Sequence, residues 1–180
     1  KPTFCGTLAT EVNEGHSLLL AKAYEKKIGY SFTKEELVCF LAGFLGEADK
    51  NMETVSLSSI GLSKEVEDAL YYADDTAREL MQVEVECHTS SPEGYWALHA
   101  GWIDVMRNWY LGEDAATICS EYGLYEGNFI RTVLKLGSLV EEWISMATYC
   151  EHTEVLQRLE GLKDEIIKGI AKPQSLYLLL

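Results

Sequence analysis

The chain has 180 residues and a mass of 20.2 kDa, which suits one domain with a sizeable core. Its formal net charge is −14, from 29 acidic and 15 basic residues, so its overall field opposes loose binding to phosphate or to anionic lipid. Any contact with nucleic acid must therefore come from a local group of basic side chains.

Helical periodicity dominates the first half of the chain. Residues 1–12 are short, mixed and apolar, and this pattern predicts an extended entry segment. A helix is predicted over 13–28. Thr33 and Glu36 have the spacing of a capping box at the start of a second helix. After a polar, serine-rich loop, a long helix is predicted over 64–87.

The second half also follows a helical period. Pro92 suits the first turn of a fourth helix. A short helix over 114–121 precedes a long helix over 126–149, and a last helix is predicted over 153–170. Few strand-period patterns occur. The sequence therefore predicts an all-α bundle of about six to seven helices, forming a single domain over residues 1–180.

The chain shows no sign of a membrane or secretory protein. No apolar run reaches the roughly 18 to 20 residues that span a bilayer, and the first residues contain no signal-peptide core. Position 1 is not methionine, so we expect an excised or processed piece of something longer. The five cysteines are odd in number and include no CxxC pair, so we expect reduced core thiols in an intracellular protein, nuclear or cytoplasmic.

Catalytic motifs are missing from the sequence. Without a GxxxxGK[ST] loop, and with its Asp164-Glu165 pair inside a helical stripe, the chain cannot hydrolyse ATP by the P-loop route. No GxSxG elbow occurs. Adjacent acidic pairs such as Glu141-Glu142 are typical of a solvated helix face. They are not expected to form catalytic dyads, because neighbours on a helix point in different directions. We predict no catalytic residue and no cofactor on this chain.

Metal-binding motifs are equally weak. The close pairs Cys87-His88 and Cys150 with His152 lack zinc-finger spacing. A zinc site pooled across the fold stays open as an alternative, but we predict no metal ligands. His16, which is solitary in sequence, is interpreted as an ordinary surface or core residue.

The predicted helix over 126–149 carries the most suggestive basic residues. Arg131 and Lys135 lie one turn apart, on the same strip as Ser138 and Glu142 and away from the apolar stripe. Two such cations in an acidic protein could bind a phosphate or stack beneath a base. The alternative is a plain solvent face on which Glu142 is the partner of the cations.

Two further features could point to nucleic acid. Residues 115–135 could form a helix-turn-helix, but the start of its second helix lacks the basic and amide side chains that duplex DNA readers usually carry. Tyr95, Trp96 and Tyr110 could form a stacking platform if exposed. Their spacing leaves open which of them are exposed.

Four segments, in order, resemble one known domain. They are CGTLATEV at 5–12, LVCFLAGFLGE at 37–47, the block over 112–131 that contains YEGNFIR, and the SLYL ending at 175–178. Over nearly the whole chain they are similar to the C-terminal DSHCT domain of superkiller-type and exosome-associated DExH-box RNA helicases. The resemblance implies a helical bundle that follows two RecA-like motor lobes and a winged helix.

The resemblance also implies functional residues. The helix from Glu126 would be the ratchet helix, which lines the RNA exit path, with Lys135 where relatives commonly have an arginine that contacts a base. Glu47 falls where relatives carry an acidic residue facing the same RNA. Because lysine lacks the planar fork of arginine, base contact is expected to be weaker or replaced by phosphate contact. The ending Ser175, Leu176, Tyr177 and Leu178 is expected to dock on the motor.

These expectations form one hypothesis, a non-catalytic RNA-guiding domain of an ATP-dependent RNA helicase in RNA unwinding, processing or exosome-linked decay. Arg131, Lys135 and Glu47 would contact single-stranded RNA. The partners would be the motor lobes, the winged helix and exosome cofactor proteins, with ATP and Mg²⁺ in the motor domains of the parent protein. The alternative is a stand-alone acidic helical module that binds proteins through exposed aromatic residues and its leucine-rich tail.

Overall fold

Every regular element in the described part of the chain is helical, as predicted. The computed structural model describes residues 1–46, 52, 55–167 and 170. Within them, 3-10 helices occur at Ala9–Glu11 and Leu57–Ser59. The α-helices are α1 (Phe4–Leu8), α2 (Ser17–Glu25), α3 (Lys34–Ala42), α4 (Lys64–Glu86), α5 (Gly101–Tyr110), α6 (Ala115–Tyr122), α7 (Glu126–Tyr149), α8 (Thr153–Leu159) and α9 (Leu162–Ile167).

The described residues hold more helices than the predicted six to seven, for two reasons. Residues 1–12 are not extended, because Thr3 Oγ1 accepts the Gly6 N–H at 3.1 Å and caps α1. The helix predicted over 153–170 is divided into α8 and α9, because Gly161 adopts a φ of +76°, a left-handed conformation that interrupts a helix. Both corrections lie near the ends of the chain.

Side-chain caps account for several helix starts. The predicted capping box is present at α3, where Thr33 Oγ1 accepts the Glu36 N–H at 3.2 Å and the Glu36 carboxylate accepts the Thr33 N–H at 3.3 Å. Ser63 caps α4, and Asp114 caps α6. Such caps typically stabilise a helix by about 1 kcal/mol each.

The connection between α4 and α5 differs from the prediction. Pro92 does not open a helix: its carbonyl accepts the Tyr95 N–H at 3.1 Å in a turn, and α5 begins only at Gly101. The carboxylate of Glu84, near the end of α4, holds this loop. Glu84 Oε2 accepts the backbone N–H of Ser91 at 3.3 Å and the indole N–H of Trp96 at 3.1 Å. The loop is therefore fastened to α4.

The central element of the core is α7, which packs against α2, α3, α6, α8 and α9. One face of α7 is fully buried, and each such large apolar side chain contributes about 1.5–3 kcal/mol on burial. The buried residues of the predicted stripe are Phe129, Val133, Leu136, Val140, Trp143 and Ala147. This packing fixes the direction in which the opposite side of α7 presents its polar residues.

The cysteines are all unpaired, but they are not all core residues. Cys39 is buried, and its desolvation raises the pKa of its thiol. Cys87 is exposed at the end of α4, whereas Cys5, Cys119 and Cys150 are half-buried. The expectation of core thiols is therefore correct in full only for Cys39.

Candidate functional site

Lys135 lies at a cleft where four segments of the chain meet. The cleft, here called the Lys135 cleft, has a volume of about 410 Å³. Its walls are the loop over 13–16, Phe44 and Gly46 after α3, the turn over 92–95, and Lys135 on α7. These segments are far apart in sequence, so the cleft exists only in the folded chain.

The first wall is held by a carboxylate on α7. Glu142 Oε1 accepts the backbone N–H of Asn13 at 2.7 Å and that of Glu14 at 2.5 Å. The Glu142 side chain is only 7% exposed. The interpretation of Glu142 as part of a solvated face, and as the partner of Arg131 and Lys135, is therefore wrong: it is a buried acceptor that fastens the N-terminal loop.

His16, at the end of this loop, packs against two aromatic side chains. Its ring stacks on Trp96 with 5.7 Å between centroids and meets Tyr95 edge-to-face at 4.8 Å. Burial, and then the positive charge of Lys135, lower the pKa of His16, so the imidazole is neutral at pH 7. Its Nδ1 atom is buried and has no hydrogen-bond partner among the described residues.

Tyr95 presents an exposed ring at the rim of the Lys135 cleft. Its side chain is 45% exposed, whereas Trp96 is half-buried and held by Glu84. Tyr110 is half-buried on α5, away from the residues that line the cleft. Of the three aromatic residues whose exposure the sequence left open, Tyr95 is the one beside a predicted RNA-contacting residue.

The backbone after α3 comes close to Lys135 at Gly46. A Cβ atom at Gly46 would lie 4.0 Å from Lys135 Nζ, and the φ of Gly46 is +95°, which favours glycine. Glu47, the predicted acidic RNA contact, is the next residue and lies outside the described residues. The predicted docking tail over 175–178 also lies outside them.

Arg131 and Lys135 have different surroundings. Arg131 is exposed one turn earlier on α7 and does not line the cleft, whereas Lys135 is half-buried within its wall. Neither side chain forms an ion pair or hydrogen bond with any residue that the structure describes. Within the described part of the chain, the donors of both cations are therefore not used by a protein partner.

The charges around the Lys135 cleft are mixed. Lys135 is the one cationic side chain among its described lining residues, and Glu14 and Glu93 contribute two carboxylates. Such a site can offer hydrogen-bond donors and acceptors to a ligand. Its described lining residues include no pair of side chains arranged as nucleophile and base.

Two further findings on the described residues concern metal binding and membrane crossing. No group of three or more His, Cys, Asp or Glu side chains among them is placed to hold a metal ion. Within the same part of the chain, no helix has both the length and the apolar character needed to cross a membrane.

Residues 1–172 match the family model described as the DSHCT (NUC185) domain. The chain belongs to this family. The match covers α1 to α9, and therefore includes every wall of the Lys135 cleft. The resemblance to the DSHCT domain is thus confirmed, and three of its four sequence segments lie within the matched residues.

The relatives of this DSHCT domain include RNA helicases. It is 25% identical over 175 residues to mRNA transport homolog 4 of Caenorhabditis elegans, 23% to the ATP-dependent RNA helicase mtr4 of Schizosaccharomyces pombe, and 25% to the DExH-box ATP-dependent RNA helicase DExH11 of Arabidopsis thaliana. Each alignment covers 96% of this chain but only 16%, 15% and 12% of the respective relative. The chain therefore spans less than a fifth of the length of these relatives.

Proposed function

We propose that this DSHCT domain guides single-stranded RNA along α7 within an ATP-dependent RNA helicase. Lys135 and Arg131 would be the RNA contacts, and α7 would act as the ratchet helix. The observation that carries the proposal is the position of Lys135, a half-buried cation without an ion-pair partner among the described residues, at the wall of an open cleft.

The net charge of the domain favours guiding of RNA that is already bound over binding of free RNA by the domain alone. A net charge of −14 repels an RNA backbone at long range, so the domain alone would bind RNA weakly. RNA that motor lobes already hold reaches α7 without having to overcome this long-range repulsion. There, Arg131 on the exposed surface and Lys135 in the cleft can each donate charge-assisted hydrogen bonds.

The remaining parts of the helicase belong to the same proposal. ATP and Mg²⁺ would act in RecA-like motor lobes of the parent protein, in the nucleus or the cytosol, in RNA unwinding, processing or exosome-linked decay. The winged helix and exosome cofactor proteins would be neighbours of the domain. Glu47 would face the RNA near Lys135, and the ending Ser175 to Leu178 would dock on the motor.

The test is Lys135→Glu in the natural polypeptide that carries this domain, measured as RNA-stimulated ATP hydrolysis and duplex unwinding. Loss of one charge-assisted contact predicts a reduction of about tenfold, equivalent to roughly 1.4 kcal/mol. Lys135→Arg keeps the charge and should retain activity. Tyr149→Ala, at the other end of α7, is the matched control and should leave unwinding unchanged.

Unchanged unwinding in the Lys135→Glu protein would contradict the RNA-guiding role. In that case the alternative, an acidic helical module that binds other proteins, would become the better description. Circular dichroism of each variant ensures that the comparison is made between folded proteins.

A further inference from the structure

We propose that one side of α4 is a docking surface for a basic amphipathic helix of a partner protein. The surface, here called the α4 stripe, consists of Tyr71, Asp74, Arg78, Met81 and Val85. It lies on a different helix from the predicted RNA contacts. The inference therefore goes beyond the RNA-guiding function and does not depend on it.

The second half of α4 contributes nothing to the buried core. The buried residues of this helix all lie at or before Ala77, and none lies in the part from Arg78 to Glu86. Apolar side chains nevertheless continue along its surface, where Met81 is 49% exposed and Val85 is 66% exposed. Exposed apolar side chains that gather on one surface, unlike scattered ones, mark interaction sites.

The α4 stripe has the spacing of a seam between two packed helices. Its five members follow one another at intervals of three and four residues, which is the spacing of the a and d positions of a coiled coil. From Tyr71 to Val85 the stripe is about 21 Å long, at the rise per residue of an α-helix. A second helix can therefore lie along it. An extended peptide would instead need a sheet edge, and the described residues form no strand.

An apolar pocket adjoins the stripe at the Tyr71 end. Tyr71 and Asp74 belong both to the stripe and to the lining of this pocket, which has a volume of about 190 Å³. The pocket can take one apolar side chain of the partner helix, as buried anchor residues do in protein interfaces. The aliphatic residues that line it are Leu57, Leu70, Leu98 and Ile103.

The charges around the stripe select a basic partner. From Asp74 to Glu86, α4 carries five carboxylates and a single cation. That cation, Arg78, is already paired with Asp74 at 2.6 Å. Next to the stripe, Asp75 and Glu79 form no ion pair with any residue that the structure describes. Lysine or arginine side chains that flank the apolar side of a partner helix would meet these carboxylates, and such complementarity speeds association and favours the right partner.

The same charges argue against three other occupants. A second copy of the chain would bring the same carboxylates to the interface and would be repelled. RNA and an anionic membrane are negatively charged as well, and α4 offers them no cation that is not already paired between Asp74 and Glu86. A basic helix of another protein is the occupant that fits both the apolar stripe and its acidic surroundings.

The experiment is a fluorescence-anisotropy titration of a labelled model helix with the 180-residue chain. The probe has about three heptads, with leucine at the a and d positions and lysine at the e and g positions. Salt at about 0.15 M limits long-range attraction to the acidic chain. We expect saturable binding. A scrambled peptide of the same composition should have a Kd at least about tenfold higher, and a peptide with glutamate in place of lysine should not bind.

Variants locate the binding on the stripe. Tyr71→Ala and Met81→Ala should each raise the Kd for the lysine peptide by about tenfold, as expected for the loss of an anchor residue. Val83→Ala is the matched control, because Val83 is 51% exposed on the same part of α4 but lies off the stripe. This variant should change the Kd by less than about twofold. All three side chains are exposed, so the variants should fold, which circular dichroism checks.

Two kinds of result in this titration would overturn the inference. Equal binding of the lysine peptide and its scrambled form, or equal effects of Met81→Ala and Val83→Ala, would show attraction by charge alone without a defined surface. Absence of saturable binding would show that the stripe does not accept a basic helix.

A second measurement identifies the source of the helix. In the natural polypeptide that carries this domain, p-benzoylphenylalanine replaces Met81 in one sample and Val83 in another, and cross-linked peptides from its source cells are sequenced by mass spectrometry. Position 81 should capture a lysine- or arginine-rich segment of a different protein, and position 83 little. Capture of the parent polypeptide itself, of RNA, or of nothing at position 81 would contradict the proposal. Neither measurement involves Lys135, so the Lys135→Glu unwinding assay judges the RNA-guiding function separately.

Discussion

Glu142 on α7 accepts the backbone N–H of Asn13 at 2.7 Å, across a sequence separation of 129 residues. The same carboxylate oxygen also accepts the N–H of Glu14. Because Lys135 lies on the same helix, one buried carboxylate fixes the N-terminal loop relative to the predicted RNA contact. The geometry of the Lys135 cleft therefore depends on a residue that does not line it.

Glu142→Leu should lower the free energy of unfolding by roughly 2–4 kcal/mol, because two backbone N–H groups lose a carboxylate acceptor in a partly buried setting. Glu142→Gln keeps an acceptor oxygen and should cost about half as much. Urea unfolding monitored by tryptophan fluorescence measures both. Glu141→Gln is the control, since Glu141 is exposed and its ion pair with Lys163 lies at the surface. An equal cost for Glu142→Leu and Glu141→Gln would show that the buried hydrogen bonds are unimportant.

Gly46→Ala should destabilise the fold by about 1–3 kcal/mol, because an alanine at a φ of +95° adopts a rarely allowed conformation. Gly127→Ala, on α7, should have the opposite effect on stability. This glycine has helical geometry and open space where the alanine Cβ atom would lie, so alanine should stabilise the protein by roughly 0.5–1 kcal/mol. Thermal unfolding of the two variants should therefore shift in opposite directions. A shift of the same sign in both would contradict the assigned backbone conformations.

The hydrogen bonds that Glu84 accepts from Ser91 and Trp96, here called the Glu84 anchor, should make the stability of the loop over 91–96 sensitive to acid. Hydrogen bonds from Ser91, and then from Trp96, hold the pKa of the Glu84 carboxyl below its ordinary value of about 4.3. Since the folded pKa is the lower one, the stabilisation is present above the unfolded pKa and is lost as pH falls through the folded pKa.

Glu84→Gln should therefore be less stable than the wild type at pH 7, and this difference should shrink as the pH is lowered below about 4. Urea unfolding of both proteins at about pH 7 and about pH 3, on either side of the ordinary glutamate pKa, measures the change. The indole N–H resonance of Trp96 reports the anchor directly. A stability difference that is independent of pH would exclude the ionised Glu84 as the anchor.

The all-α fold and α7 could be predicted because their signals are local. The apolar stripe from Phe129 to Ala147 repeats along one helix face, and Thr33 with Glu36 forms a cap within four residues. The extended prediction for 1–12 is wrong because α1 depends on a cap at Thr3 and on burial of Leu8 against the rest of the fold.

The Lys135 cleft could be predicted only in part. Helical spacing and the family resemblance both indicate Lys135, but no local pattern relates it to His16 or Tyr95, which lie in loops. The solvated-face interpretation of Glu142 is wrong because an acidic pair on a helix has the same sequence pattern whether one member is buried or not. Only the packed structure brings these residues together, through hydrogen bonds and ring contacts between distant segments.

RNA photo-crosslinking from position 135 tests the RNA-guiding role most directly. In the natural polypeptide that carries this domain, p-benzoylphenylalanine would replace Lys135 in one sample and Tyr149 in another. Position 149 lies about 21 Å further along α7, at the rise per residue of an α-helix. If α7 guides RNA past Lys135, irradiation with bound single-stranded RNA will capture RNA from position 135 and little from position 149. Absence of capture from position 135, or equal capture from both positions, would contradict this role.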